Sequence, residues 1–217
     1  MKTVMLNTGG IFGTNCYIVI SDNGNAALID APAGGARILD EIEKNGAKLK
    51  KILLTHGHCD HIESVAFLAE KTGAEVYIHE ADEKKLSDDY LNLSEYFSDY
   101  YESPVAHFGG AHTVSDGDII TLDELEFKVL HTPGHTIGSV CYICGGTMFS
   151  GDTLFKMSAG RTDMPDGNSL KLNESLKMLD EIGGDYALLS GHGERSTLSN
   201  ERKYNPFMKG FDYDDMF

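Results

Sequence analysis

The sequence predicts an α+β fold in which two β-sheets pack face to face with helices outside. Three observations lead to it. Apolar segments of strand length recur along the 217 residues. A β-α-β unit sits in the first half. Each half opens with strands and closes with a helix followed by a strand, a pattern that a two-sheet sandwich satisfies.

Residues 4–6, 16–21 and 26–29 read as the early strands, and the loop 7–15 between the first two carries three glycines. Residues 37–45 read as a helix, because Ile38, Leu39 and Ile42 share a face and Gly46 ends it. A short buried strand over 51–55 leads to a helix over 62–71, with Ile62, Val65, Ala66 and Ala69 on one face and Gly73 as the stop. Residues 75–78 form the next strand. The segment 80–104 is acidic and carries Tyr90, Tyr96, Phe97, Tyr100 and Tyr101. It reads as one or two short helices, an insert that either overhangs a site or packs its aromatics on the body of the domain. Strands follow at 119–122, 125–130, 139–144 and 147–150, then a helix over 170–182 and a last strand at 186–189. Leu172, Leu176, Leu179 and Ile182 place the inward face of that helix. No repeat or linker divides the chain, so residues 1–217 read as a single domain.

Hydrophobic residues make up 41% and charged residues 24%, as in ordinary globular proteins. The formal charge of −16 argues against nucleic acid or an anionic membrane as a partner. An anionic substrate then needs a local positive centre, which a bound metal supplies. The start, MKTVMLNTGG, has no apolar stretch of signal-peptide length and no later run is long enough to span a membrane, so a cytoplasmic protein with free thiols is expected. Cys141 and Cys144 form a C-x-x-C, but on a strand residues three apart face opposite ways. Plain packing is the expectation for both.

Thr55-His56-Gly57-His58-Cys59-Asp60-His61 places three imidazoles and a carboxylate within six positions, directly after a strand. Such groups are the ligands that suit zinc, iron and manganese. His56 and His58 can face one ion from the strand end, while Asp60 and His61, at the turn into the next helix, can reach a second position. One short loop cannot surround two ions, so further ligands are needed. His135 in His131-Thr132-Pro133-Gly134-His135-Thr136, Asp152 after Phe149-Ser150-Gly151, and His192 after Leu189-Ser190-Gly191 lie at comparable strand-to-loop junctions. His79, His107, His112 and His131 read as hydrogen-bonded core or surface residues.

The succession THGHCDH, PGHT, GDT and GHG resembles the metallo-β-lactamase superfamily over nearly the whole chain. The resemblance implies an αββα sandwich with two metals at one edge of the sheets. It implies that His56, His58 and His135 hold the first metal, that Asp60, His61 and His192 hold the second, and that Asp152 bridges them. The implied cofactors are two divalent ions, zinc foremost, with iron or manganese as alternatives. Residues 151–155 and 160–167, GDTLF and GRTDMPDG, and the tail ERKYNPF look like the short bacterial members of the glyoxalase II-like branch, the hydroxyacylglutathione hydrolases. Full-length glyoxalase II enzymes add a C-terminal helical domain that helps to bind glutathione. Only about 25 residues follow His192, so no such domain is expected and glutathione specificity is open.

A site of two ions about 3.5–4 Å apart holds a hydroxide between them, and the natural reaction is hydrolysis of an activated acyl bond. A thioester fits, because a thiolate leaves with little acid assistance and is a soft metal ligand. Asp60 is the candidate catalytic residue, placed to steer or accept the hydroxide's proton. Arg161 is the candidate substrate-binding residue, since its fork suits a carboxylate; the competing role is an internal salt bridge to Asp163. Cys59 is expected to be a bystander. Persulfide dioxygenases also resemble the chain and would use one iron on His56, His135 and Asp152; a lactonase is a further alternative. The expected partner is therefore a small-molecule thioester, with oligomeric state unread.

Overall fold

Side-chain alternation in the first strands decides how the layers stack. In the computed structural model, which describes residues 1–10, 12–100 and 105–209, β1 (Lys2–Asn7), β2 (Asn15–Ile20) and β3 (Asn25–Ile29) pair antiparallel. Cys16, Ile18 and Ile20 of β2 face one way and Tyr17 and Val19 the other, and both faces are buried. A strand buried on both faces belongs in the middle layer of a sandwich.

From β3 the sheet continues in parallel through β4 (Lys48–Leu53), β5 (Glu75–His79) and β6 (His112–Val114), giving the order β1-β2-β3-β4-β5-β6. Parallel pairs need crossovers. Helix α1 (Gly35–Lys44) makes the first, and α2 (Cys59–Ile62) with α3 (Val65–Thr72) the second. The other sheet is built from β7 (Ile119–Leu122), β8 (Leu125–His131), β9 (Val140–Cys144) and β10 (Thr147–Gly151). A two-stranded hairpin, β11 (Leu154–Phe155) and β12 (Ser158–Ala159), follows. Helix α4 (Ser169–Glu181) then carries the chain to β13 (Ala187–Ser190), which pairs parallel to β10. The edge strand β14 (Ser196–Thr197) and α5 (Leu198–Tyr204) close the described part, and the sheet order is β14-β13-β10-β9-β8-β7.

Three apolar layers result. Ile38, Ile42 and Leu68 of α1 and α3 meet Ile18, Leu28 and Ile52 on the outside of the first sheet. Tyr17, Leu53, Phe127, Val129, Tyr142 and Phe149 fill the space between the sheets. Leu172, Leu176 and Leu179 of α4, with Leu198 of α5, cover Cys141 and Met148 on the far side. The two sheets therefore lie inside two helical layers, as the sequence predicts. Cys141 packs in the outer layer and Cys144 in the inter-sheet layer, on opposite faces of β9 as expected, and all four cysteines are buried outside any disulfide. Among the described residues no helix is long and apolar enough to cross a membrane.

Some elements differ from the sequence reading. The helix expected over 62–71 is broken into α2 and α3, because Ser64 is tied elsewhere: its N–H donates to Ala31 O at 2.8 Å and its Oγ to Pro32 O at 2.5 Å. The strands β6, β11, β12 and β14 and the helix α5 have no counterpart in that reading; two or three residues carry no readable alternation. The segment expected as a helical insert holds two 3-10 helices, Glu80–Ser87 and Ser98–Tyr100, while residues 101–104, Tyr101 among them, lie outside the described residues.

Phe127 is fully buried between the sheets, whereas Tyr204 is 54% exposed. Phe127→Ala should cost about 3–5 kcal/mol in denaturant unfolding, and Tyr204→Ala well under 1 kcal/mol. Equal losses would contradict the layer assignment.

Candidate metal centre

Four loops leave the same edge of the sandwich. The loop after β4 carries His56, His58, Asp60 and His61, that after β8 carries His135, that after β10 carries Asp152, and that after β13 carries His192. Hydrogen bonds across the sheets hold these ends together. Val140 N–H donates to Thr55 O at 2.8 Å, Asn15 N–H to Gly191 O at 2.7 Å, and the Tyr17 and Tyr142 hydroxyls to Ser190 O and Leu54 O at 2.6 and 3.0 Å.

All seven side chains singled out from the sequence converge. Three groups have ligand atoms within 4.8 Å of one another: His56 with His58 and His135; His56 with His61 and Asp152; and Asp60 with His61 and His192. His58 Nδ1 lies 2.9 Å from His135 Nε2. His192 Nε2 lies 3.3 Å from both Asp60 Oδ2 and Asp152 Oδ2, and His61 Nε2 lies 3.5 Å from Asp152 Oδ1 and 3.6 Å from Asp60 Oδ2. Ligands about 2.0–2.1 Å from one tetrahedral ion are about 3.3–3.4 Å apart, so these spacings suit shared ions. His56 Nε2, His61 Nε2 and Asp152 Oδ1 are buried in the cluster and have no hydrogen-bond partner. An unsatisfied buried polar atom costs about 1–3 kcal/mol, and three in one cluster are accounted for when cations occupy it. The donor set, imidazole with carboxylate, suits zinc, iron or manganese alike.

Charge within the cluster points the same way. Burial, followed by neighbouring imidazoles, pushes His56 and His58 well below the usual histidine range, so both are neutral and have the form a metal ion takes. Burial also disfavours charge on His61, but Asp60, Asp30 and Asp152 outweigh it and raise its pKa well above the usual value. His192 behaves alike: burial opposes the charge, Asp152 and Asp60 overcome it, and its pKa rises to about 10. Burial would raise Asp60 and Asp152, yet His61 and His192 hold both carboxyls below their ordinary range. The buried carboxylate of Asp152 and the half-buried one of Asp60 are thus balanced by two imidazolium protons, which divalent cations would displace.

The outer partners of the histidines orient them, a role that sequence reading missed. Asp30, at the end of β3 with φ 59°, accepts from His61 Nδ1 at 2.9 Å and from Thr55 N–H at 2.8 Å and Oγ1 at 2.9 Å. Thr55 Oγ1 in turn lies 3.2 Å from His56 Nδ1. His135 Nδ1 donates to Arg161 O at 2.8 Å and His192 Nδ1 to Phe12 O at 3.1 Å. Such contacts fix tautomer and ring direction. Fully buried Asp82 bridges two ligand loops, accepting from Gly57 N–H and Gly138 N–H at 2.9 Å each and from Thr136 Oγ1 at 2.8 Å. A lone Asp at a strand end or in an acidic segment carries no signal that would single it out.

Arg161 lines the cavity beside the cluster, and its guanidinium forks onto Asp163 with two bonds of 2.6 Å. Cys59 also lines that cavity and is 1% exposed. From the tail, Asn205 Nδ2 donates to Phe155 O at 3.1 Å and Ser158 O at 3.0 Å, and Glu201 accepts from Met157 N–H at 2.6 Å. The tail thereby pins the β11–β12 hairpin, which forms one cavity wall.

Gly191 explains why the last motif needs glycine: a Cβ there would collide with Asp152 Oδ1 and lie 2.7 Å from His61 Cε1. A Cβ on Gly146 would meet nothing within 4 Å. Gly191→Ala and Asp152→Ala should each lower metal content by at least one ion per chain in elemental analysis, with Gly146→Ala unchanged. Full metal content in both site variants would remove Asp152 from the centre.

Comparison with known proteins agrees with this geometry. The family model described as the metallo-beta-lactamase superfamily matches residues 9–192. A Haemophilus influenzae protein named hydroxyacylglutathione hydrolase GloC is 32% identical over 200 residues, covering 91% of this chain and 93% of that protein. The solved structure of the BLEG-1 B3 metallo-beta-lactamase superposes with a TM-score of 0.89 at 31% identity, covering 96% of this chain and all of that one (100%). TTHA1623 in a di-iron-bound form gives a TM-score of 0.81 at 31% identity, covering 95% and 100%. The chain belongs to the metallo-beta-lactamase superfamily.

Proposed function

We propose that this metallo-hydrolase cleaves thioesters with two divalent ions, zinc foremost. His56, His58 and His135 would hold one ion and Asp60, His61 and His192 the other, with Asp152 placed between the two groups. The observation that carries the reading is the position of Asp152. Its Oδ1 faces His61 at 3.5 Å, while its Oδ2 faces His135 at 3.6 Å and His192 at 3.3 Å, between the two groups of ligands.

Bound divalent ions supply, in such a site, ionised water near neutral pH and a Lewis acid for a carbonyl oxygen. The chain's own residues do the rest. Asp60 accepts a 2.6 Å hydrogen bond from Thr14 Oγ1, which fixes its carboxylate at the cavity floor. Held ionised by His61 and His192 against its burial, Asp60 is placed to orient the attacking water and take its proton. Apart from the seven cluster residues, the titratable groups among the described lining are Cys59 and Arg161. A guanidinium does not give up its proton and Cys59 is buried, so the only acid at hand for a leaving group among the described lining is the proton that Asp60 takes up. A thiolate leaves with little acid assistance, which suits a thioester. The hydrolase activity in the name of the Haemophilus influenzae relative supports the same class.

Metal-replete protein should contain two ions per chain and release thiol from S-acyl substrates in a chromogenic thiol assay. Chelation should abolish that release and added zinc restore it. A two-ion protein that opens lactones but releases no thiol would overturn the reading, as would a single iron per chain with oxygen uptake.

A further inference from the structure

We propose that the cavity beside the cluster receives an apolar acyl arm, so that the preferred substrates are thioesters of apolar carboxylic acids rather than of small hydroxy acids. This rests on the thioester reading above and names its substrate class.

The cavity has a volume of about 380 Å³, and its polar groups concentrate in the metal-ligand cluster. Away from that cluster the walls are mostly apolar, with Phe12, Leu93, Phe97, Phe155 and Met164 beside Ala159, Cys59, Ser158 and Arg161. Phe12 and Phe97 meet edge to face, with ring centroids 4.8 Å apart and planes at 69°. Phe155, on the hairpin, stands edge-on to His192 at 6.1 Å. Leu93 is 4% exposed and belongs to the apolar layer behind the first sheet, against which Phe97 and Met164 also pack. The wall is therefore rooted in the core.

Its segments are braced to the ligand loop and to one another. Cys59 N–H donates to Asn92 O at 2.8 Å, which joins the Leu93 turn to the loop of His58 and Asp60. Leu93 itself has φ 70°, a left-handed conformation rare outside glycine that surrounding structure must hold in place. Lys85 supplies part of that hold: its Nζ donates to Leu91 O at 2.9 Å and pairs with Asp166 at 2.7 Å, with the Lys85 side chain 4% exposed. The same pair ties the 80–97 segment to the loop that carries Met164. A strained, cross-braced apolar wall next to a reactive centre is a preformed subsite.

Charge decides which arm lies there. The chain carries −16, and the cation on the described wall, Arg161, is forked onto Asp163. A peptide thiol bearing two carboxylates gains nothing from phenylalanine, leucine and methionine. The polar carrier therefore extends to solvent and the acyl chain takes the wall.

The test uses metal-loaded protein and one thiol, N-acetylcysteamine, acylated from acetyl to octanoyl. kcat/KM should rise up to about fourfold per methylene until the wall is covered, since each buried methylene is worth about 0.8 kcal/mol. Phe97→Ala should flatten this slope with metal content unchanged, and Phe97→Leu should retain most of it. In parallel, n-alkyl hydroxamates of increasing length should bind the same protein progressively more tightly by calorimetry. That series still reads the wall if no thioester is cleaved, a result that would sink the thioester reading alone. The subsite is overturned if hydroxamate affinity ignores chain length. It is likewise overturned if S-lactoylglutathione outpaces every apolar acyl substrate, or if rate follows the length of the thiol arm with acetyl held constant.

Discussion

Two carboxylates, Asp60 and Asp152, sit at the edge of a two-sheet core, and the surrounding structure is organised around compensating them. Burial alone would raise the pKa of both. Their neighbours are imidazoles from three separate loops, and Asp152 also forbids a side chain at Gly191. The strand ends must therefore meet within ångströms, and the sandwich achieves this by pairing β10 with β13 and bonding across to β2 and β4 at the same edge. The fold is thus a means of bringing distant residues to one charge-balanced point. Cations complete a balance that protons on His61 and His192 otherwise supply.

Rigidity around that point comes from groups that never face the substrate. Asp30 gathers His61 and Thr55, and Asp82 bolts the ligand loop to the loop of His135. Lys85 and Asp166 brace the apolar wall. These are buried polar contacts, where removal of one partner leaves the other stranded. The pair Arg161–Asp163 is different, with side chains 57% and 66% exposed, and an exposed pair of this kind contributes little to stability. Arg161 matters to the centre through its carbonyl, which holds the His135 ring.

The cluster was legible in sequence because its chemistry is dense: four candidate ligands in six positions leave little other meaning, and the three remaining candidates sit after readable strands. The layers were legible because β2, β3 and β9 alternate or run apolar in the manner of doubly buried strands. Asp30 and Asp82 were not, since one carboxylate at a strand end and one in the acidic stretch 80–88 look solvent-facing until tertiary contacts are known. The segment 80–104 was ambiguous between overhanging the site and packing on the domain for a physical reason: Leu93, in its described part, does both, lining the cavity while belonging to the core. Its turn depends on long-range anchors, Asn92 to Cys59 and Lys85 to Asp166, which no local propensity reveals.

The central claim is that Asp152 lies between two ions. Anomalous diffraction from crystals of metal-replete protein, recorded at the zinc and iron absorption edges, tests it most directly. Two peaks about 3.5–4 Å apart on either side of the Asp152 carboxylate are predicted. A single peak bound by His56, His135 and Asp152, with none near Asp60 and His192, would contradict it.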